Sequence, residues 1–307
     1  MAMVRYILKR CFIGVATLFV LITVTFFLTR LMPGNPFEGD NVSTATLEKF
    51  AEEYGLNLPI HQQYVRYVGK LLQGDLGTSF KKPGVSIVSL IAKGAPATMS
   101  LGLTAYVSAM FLGIVIGVWE AVSKREMVRS VLMSLSTLGI SVPNFIFAIL
   151  MMLVFGVWLK WFPTLGLDTP KHYVMPVVTL AVYPVAQISR LVHASFTEAM
   201  RMDYVTMAKA KGLRQSTVLF KHILKNALIP VVTNSGPLIA FLMTGSFVVE
   251  SIFTIPGIGR EFVNSVSNRD YTVIMGLTIF VGALIILCNL VCDVICPLVD
   301  PRIKITR

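Results

Sequence analysis

The sequence has 307 residues, of which 55% are hydrophobic and only 14% are charged. Soluble domains carry about 25% charged residues, so this composition excludes an ordinary soluble protein and indicates an integral membrane protein. The net charge of +11 would suit nucleic acid, but most of it lies in segments expected to face the cytoplasm. The positive-inside rule accounts for that placement, and no nucleic-acid partner is expected.

The first apolar run predicts a membrane span over about Cys11–Leu31, at the end of an N-terminal segment 1–31. Three basic residues before the run, Arg5, Lys9 and Arg10, place the N-terminus in the cytoplasm. A cleaved signal peptide is the alternative interpretation of this pattern. However, the run approaches the roughly 20 residues that cross a bilayer, and no small-residue cleavage site follows it, so we predict an uncleaved helix.

Residues 32–97 form the most polar part of the chain and are predicted to be an external helical insertion after the first span. Two helices are expected there, over Thr44–Tyr54 and Pro59–Leu72, with Pro59 at a first helical position. The second helix has one apolar face, which needs a partner. The three candidate partners are the bilayer surface, the rest of the chain and an external protein. The face consists of Ile60, Tyr64, Tyr67, Val68, Leu71 and Leu72.

Residues 98–298 predict a membrane core of five further spans, followed by a cytoplasmic tail over 299–307. With the first span they give an all-α integral membrane protein with six transmembrane helices and both termini in the cytoplasm. The five spans run over about Thr98–Trp119, Val131–Trp158, Tyr173–Arg190, Val231–Val249 and Thr272–Leu298.

Polar residues and prolines within the apolar spans predict a translocation path. Pro143 interrupts the third span, and a broken backbone hydrogen bond at membrane depth is tolerated only beside protein or water. Close helix packing is the alternative explanation for the small polar residues of the fifth span. Because Asn234 and Pro237 occur together there, we favour a polar path. Its predicted lining is Asn144, Asn234, Ser235, Thr244 and Ser246.

An outer gate is predicted where the fifth span ends, from Glu250, Pro256 and Gly257. An unpaired carboxylate beside an apolar run would be unfavourable, so Arg260 or Arg269 is expected to pair with Glu250. Such a pair would make Glu250 a structural anchor of the gate and not a proton carrier.

The segment 193–230 is polar and basic, and it predicts a helix, a turn and a second helix on the cytoplasmic side. Apolar residues recur at helical spacing from Phe196 to Ala208, with Met207 among them, and Gly212 offers a place to turn. A second helical piece is expected over Gln215–Leu228. The alternative is a plain loop whose charges only fix orientation.

This segment resembles the cytoplasmic loop of ABC importer permeases in the peptide-uptake family, and the pattern is closest to the oligopeptide B-type subunits. One departure is that the general importer motif begins Glu-Ala-Ala, whereas Thr206-Met207-Ala208 precedes Gly212 here. The matching residues are Asp203-Tyr204-Val205, Ala208 to Leu213, His222, Asn226 and Pro230, and further resemblance lies at Gly74–Ser79, Ala95–Thr98 and Glu250–Gly259.

The resemblance implies a type I ABC importer permease fold in the bacterial cytoplasmic (inner) membrane, importing oligopeptides. Dipeptides, glutathione or nickel chelates remain alternative substrates. The implied partners are a second homologous permease in a heterodimer, two ATPase subunits, an extracytoplasmic peptide-binding protein and membrane lipid. The implied ATPase-coupling residues are Glu198, Asp203, Tyr204, Ala208, Lys211, Gly212, Leu213, His222 and Asn226.

The chain lacks the Gly-x-x-x-x-Gly-Lys-Ser/Thr loop, so it is not expected to be an enzyme or to bind a cofactor. ATP and Mg would be bound by the ATPase subunits. An ion-coupled transporter or a channel is the alternative from a different class, but no acidic residue is expected at mid-membrane depth. Cys288, Cys292 and Cys296 lie along one helix face and cannot converge on one ion, so no metal site is predicted.

Overall fold

The computed structural model describes residues 2–31, 55, 57–82 and 84–299. The predicted helix Thr44–Tyr54 lies outside these residues, as does the tail 299–307 apart from its first residue. The described helices are α1 (Ala2–Leu31), α2 (Ile60–Leu72), α3 (Ile87–Val122), α4 (Glu126–Ser141), α5 (Asn144–Met151) continuing into a π-helical segment (Met152–Trp158), α6 (Pro170–Met200), α7 (Asp203–Ala210), α8 (Gln215–Thr217) continuing into a second π-helical segment (Val218–Ile223), α9 (Leu224–Ala227), α10 (Ile229–Met243), α11 (Phe247–Ile252), α12 (Ile258–Ser267) and α13 (Tyr271–Val299).

Five stretches in the described part of the chain are long and apolar enough to cross a membrane. A sixth is present if α4 and α5, with its π-helical continuation, count as one broken span. The five are Arg5–Leu31, Ile87–Val122, Pro170–Met200, Ile229–Ile252 and Tyr271–Ile295.

The interruption predicted at Pro143 is a sharp bend. The segments Glu126–Ser141 and Asn144–Trp158 meet at 104°. Pro143 lies just before α5 with φ of −59° and ψ of 138°, which is extended backbone and not helix. Because proline has no N–H to donate and its ring clashes with the preceding turn, the helix stops and restarts in a new direction.

Two helices extend well beyond the spans predicted from apolar runs. The second span begins at Ile87 and not at Thr98, and it continues through Pro96. The fourth span continues without a break from Pro170 to Met200, so the first part of the segment 193–230 belongs to the span itself. A continuous helix therefore leads from the membrane region to the short turn before α7.

The apolar face of α2 packs against α1. Tyr64 stacks on Phe27 with ring centroids 5.7 Å apart and lies edge-on to Phe26 at 5.3 Å. The Tyr64 hydroxyl also hydrogen-bonds to Thr23 at 2.7 Å. Of the three candidate partners for this face, the rest of the chain is the one that contacts its aromatic residues, through α1. Pro59 stands at the N-cap of α2, one position before the predicted site.

Buried apolar clusters join the spans at both ends of the bundle. One cluster brings together α3, α5, α6, α10 and α11 through residues such as Leu101, Met175 and Leu242. A second cluster, around Phe196, Val205 and Ile223, attaches the segment after α6 to the helix bundle. The core thus fixes both ends of α6.

Candidate functional site

The turn at Gly212 ends α7 in the way expected of a glycine C-cap. Gly212 has φ of +75°, in the left-handed region. Its N–H donates to the Lys209 carbonyl at 2.9 Å, and the Leu213 N–H donates to the Ala208 carbonyl at 3.3 Å. A Cβ built on Gly212 would meet no atom within 4 Å, so backbone conformation and not crowding favours glycine here.

The segment presents apolar side chains on a basic surface. Ala208 is buried against the bundle, as the sequence pattern predicted, and so is Val205, which the predicted apolar face did not include. Met207, which was assigned to the same apolar face, is instead 61% exposed, and Phe220 is 65% exposed. The buried face of α7 runs through Val205 and Ala208, so it is rotated away from Met207 relative to the predicted face. The exposed neighbours of these two residues include Lys209, Lys211 and Lys221.

The other predicted coupling residues divide by exposure. Ala208 is buried, and Tyr204, His222 and Asn226 are partly buried. The Asn226 side chain donates to the His222 carbonyl at 3.0 Å, so this pair stabilises its own helical turn. The exposed members are Glu198, Asp203, Lys211, Gly212 and Leu213.

Glu250 is fully buried and caps the N-terminus of α12. One carboxylate oxygen accepts the Arg260 N–H at 3.0 Å, and the other accepts the Thr98 hydroxyl at 3.0 Å. Thr98 Oγ1 in turn accepts the Ile258 N–H at 2.9 Å. The first N–H groups of a helix have no partner within the helix and carry partial positive charge, so a carboxylate there is stabilised.

This arrangement corrects the expected partner of Glu250. Main-chain N–H groups and a hydroxyl hold the carboxylate in place of an arginine guanidinium, because the fold brings a helix end against it. Gly257 lies beside the same carboxylate, and a Cβ there would overlap both Glu250 and Thr98. Glu250 and Gly257 thus belong to one buried cluster, while Pro256 lies exposed in the same turn.

A second link holds the loop before α3 near α12 and α13. Asp270, almost fully buried, accepts the Ser79 hydroxyl and the Phe80 N–H, the latter at 3.2 Å. Lys82 pairs with Glu261 on α12. The loop is therefore attached to the same elements that Glu250 organises.

The five predicted path residues do not share one surface. Asn234 is exposed and lines a cavity of about 280 Å³, together with Tyr183 and Gln187 of α6. Ser235, the next residue, is buried and its hydroxyl donates to the Val231 carbonyl at 2.9 Å. Consecutive residues on a helix point about 100° apart, so Asn234 faces the cavity while Ser235 faces the interior of the bundle.

The remaining predicted path residues have other roles. Thr244 lines a separate, mainly apolar groove with Leu21 and Phe262. Ser246 caps α11, where its side chain accepts the Val249 N–H at 3.3 Å. Asn144 is the first residue of α5, after the bend. Tyr183 and Gln187 were missed, although their spacing of four residues on an apolar span is a signal that sequence reasoning could have used.

A buried contact between α3 and α6 also escaped the sequence interpretation. Glu120 is 1% exposed, and its carboxylate lies 3.5 Å from His193 Nδ1. Glu120 stands one residue beyond the predicted end of its span at Trp119, whereas α3 continues to Val122.

Two of the cysteines on α13, Cys288 and Cys292, are partly buried. Within the described ranges, no three His, Cys, Asp or Glu side chains converge in a way that could hold an ion. Cys292 packs against Gly236 of α10, which fits a small packing residue.

Comparison with family models matches almost the whole chain. Residues 109–305 match the model described as binding-protein-dependent transport system inner membrane component. Residues 3–102 match the model for the N-terminal part of such membrane components.

Similar curated proteins cover the full chain. The dipeptide transport system permease protein DppB of Bacillus subtilis is 42% identical over 306 residues, which is 99% of each chain. The oligopeptide transport system permease protein OppB of Haemophilus influenzae is 39% identical over 305 residues, covering 98% of this chain and 100% of that protein.

Solved structures share the fold at low identity. An inward-facing form of the MetNI methionine ABC transporter has a TM-score of 0.55 at 18% identity, covering 69% of this chain and 96% of that one. An amino acid ABC transporter with histidines has a TM-score of 0.53 at 17% identity, covering 70% and 95%.

Proposed function

The chain belongs to the family of binding-protein-dependent transport system inner membrane components, and we propose that it is the subunit through which an ATP-driven importer carries peptides. As such a component it is a multi-pass protein of the bacterial inner membrane and a permease, not an ATPase. The observation that carries the peptide proposal is the cavity beside Asn234.

This cavity places exposed amide groups on helices of membrane length. Gln187 and Asn234 are both exposed, on α6 and α10. A polar group left unsatisfied in hydrocarbon costs several kcal/mol, on the order of 2–7, so this surface meets water or another protein and not lipid. The surface therefore suits one wall of a path that is completed by a second, homologous permease subunit.

The chemistry of the cavity matches a peptide backbone. Its lining consists of Tyr183, Gln187 and Asn234 with three apolar residues. Amide and phenol groups donate and accept hydrogen bonds, as peptide units do, and a neutral lining does not select against particular charged side chains. The similar proteins named for dipeptide and oligopeptide transport fit this chemistry. We assign oligopeptides as the main substrate, with dipeptides as the alternative.

The segment 198–230 is proposed as the docking site for an ATPase subunit. Exposed Met207 and Phe220 offer apolar anchors, and exposed lysines lie close to them in the sequence. Apolar side chains that project from a charged surface are typical of protein interfaces. Two ATPase subunits, one for each permease, would supply ATP and Mg, and an extracytoplasmic peptide-binding protein would deliver the substrate.

The proposed topology has six spans, with α4 and α5 forming the third. Both termini and the docking segment then lie in the cytoplasm, and residues 32–97 lie mainly outside, except that α3 already begins at Ile87. The cluster around Glu250 and Gly257 would form the outer gate.

The proposal is tested by peptide uptake into proteoliposomes that contain the assembled transporter. Asn234→Leu removes one hydrogen-bonding group from the cavity and is expected to slow ATP-driven uptake of a labelled tripeptide about fivefold, because a lost hydrogen bond is worth about 1 kcal/mol. Ser235→Ala changes the adjacent buried residue and should retain uptake. Equal uptake by Asn234→Leu and the unchanged protein would contradict the proposed path.

A further inference from the structure

A basic cavity of about 240 Å³ lies where α1, α2 and the start of α13 meet, away from the proposed path. Among its described lining residues are the cationic side chains of Arg30 and Lys70 and the carboxylate of Asp75. Asp75 already accepts the Gly77 N–H at 2.8 Å in its own turn. In this part of the described lining Arg30 and Lys70 outnumber Asp75, which favours an anionic ligand.

The level of this cavity in the membrane follows from the helix ends around it. Arg30 lies in the last turn of α1, and Thr272 and Met275 lie in the first turns of α13. Two membrane-length helices end here, so the cavity lies at headgroup depth, on the outer side in the proposed topology.

Apolar side chains line part of the cavity and lie near it in the chain. Leu76, Phe80 and Met275 contribute to its lining. Close by in the chain, Leu31 at the end of α1 is 77% exposed and Leu72 at the end of α2 is 84% exposed. A ligand that is anionic at one end and apolar at the other would satisfy both parts of this surface.

Two buried donors in the lining lack an acceptor among the described residues. They are Arg30 Nε and the Tyr67 hydroxyl. The Arg30 guanidinium also stacks over Phe26 at 5.2 Å, which fixes its position. Burial raises the pKa of the Tyr67 hydroxyl well above its ordinary value, so it remains a neutral donor. In the described part of the chain, neither Arg30 nor Lys70 forms an ion pair with a carboxylate.

We propose that this cavity binds the phosphate headgroup of an anionic phospholipid, with Arg30 and Lys70 as the principal cations. Phosphate oxygens are acceptors for guanidinium, ammonium and phenol donors, and the acyl chains would cover Leu31 and Leu72. The bound lipid would attach α2 to the ends of α1 and α13. This site does not depend on the nature of the transported substrate.

The test measures lipid binding to the purified, delipidated transporter complex by native mass spectrometry. Phosphatidylglycerol is titrated, with phosphatidylcholine as the zwitterionic comparison and inorganic phosphate as a competitor. Lys70→Gln and Arg30→Gln are expected to weaken phosphatidylglycerol retention about fivefold each, the effect of one basic side chain at a charged membrane surface. Lys171→Gln removes an exposed charge elsewhere, in the first turn of α6, and should not change retention.

Lys70 is exposed, so its variant keeps the fold even if Arg30→Gln does not assemble. Unchanged phosphatidylglycerol binding by Lys70→Gln would overturn the proposal. Displacement of the lipid by millimolar inorganic phosphate would assign the cavity to a free anion and would overturn it too. So would weaker docking of the substrate-binding protein by Lys70→Gln with lipid retention unaltered, because the cavity would then recognise a protein.

Discussion

Glu250 shows how a single carboxylate can be buried without an arginine. Its oxygens accept the Arg260 N–H and the Thr98 hydroxyl, so the end of α12 supplies both hydrogen bonds and partial positive charge. A buried group whose partners are main-chain atoms holds those atoms in one position. Glu250 therefore joins α11 to α12 and fixes the turn between them.

Glu250→Gln is expected to lower the free energy of unfolding by about 1–3 kcal/mol, because glutamine has a single acceptor oxygen where Glu250 accepts both the Arg260 N–H and the Thr98 hydroxyl. Closure of the gate should be impaired, and basal ATP hydrolysis by the assembled complex should rise. Glu261→Gln is the control. Glu261 also lies on α12, but its substitution breaks only a surface ion pair with Lys82 of the loop before α3. Thermal unfolding and ATPase rates measure both effects, and equal behaviour of the two variants would contradict the anchoring role.

Gly212 provides a second test at the level of one residue. Its φ of +75° is tolerated by asparagine but strains the backbone of a β-branched residue. A side chain at this position would not clash with neighbouring residues, because a built Cβ meets no atom within 4 Å. Gly212→Val should therefore abolish ATP-driven uptake while membrane insertion stays normal, and Gly212→Asn should retain most of the uptake. Normal transport by Gly212→Val would remove the turn from the coupling mechanism.

The two faces of α7 have different roles: the buried face stabilises the fold, and the exposed face is available for docking. Val205 is buried in the cluster around Phe196, while Met207 is largely exposed. Truncation of an exposed side chain leaves the fold intact, whereas truncation of a buried one creates a cavity.

Met207→Ala and Phe220→Ala should therefore weaken association with the ATPase subunit about tenfold each, the effect expected of a moderate interface anchor. The melting temperature should stay the same in both. Val205→Ala should instead destabilise the protein by about 1–2 kcal/mol. Co-purification and thermal unfolding distinguish these outcomes, and ATPase association unaffected by either exposed-residue variant would rule out this docking surface.

In α10 the two neighbours Asn234 and Ser235 allow the orientation of the path to be measured. With Cys11, Cys288, Cys292 and Cys296 replaced by serine, Asn234→Cys should react with a water-soluble thiol reagent during turnover. Ser235→Cys should remain unreactive, because its position is buried. Equal reactivity of both positions would show that α10 rotates or that the cavity is not the path.

At the scale of the whole molecule, the sequence predicts what depends on local pattern. Apolar runs indicate the spans, Pro143 indicates the break, and Gly212 indicates the turn. The start of α3 was missed because the helix persists through Pro96 once neighbouring helices pack around it. The end of α6 was missed because the helix continues past the apolar run, from Arg190 to Met200.

Features that depend on contacts between distant segments were not readable in advance. The helix cap at Glu250 could not be predicted because it also involves Thr98 and Ile258, which are far apart in the sequence. Similarly, no local pattern reveals that Ser235 points inward while Asn234 lines the cavity, because both orientations satisfy an apolar helix of this composition. Which of the two side chains is buried depends on the helices that pack against α10 in the folded protein.

The arrangement of the buried carboxylates makes a prediction about the energy source. Glu120 lies against His193, and Glu250 is held at the end of α12, so neither belongs to the lining of the cavity at Asn234. A proton-coupled path needs an ionisable group that the substrate pathway reaches. Uptake by proteoliposomes loaded with ATP should therefore be unchanged by a protonophore, and it should stop when the ATP is removed. A loss of uptake with protonophore at constant ATP would instead require one of these two carboxylates to carry a proton. Glu120→Gln and Glu250→Gln would then identify the carrier, because uptake by the variant that lacks it would no longer depend on the proton gradient.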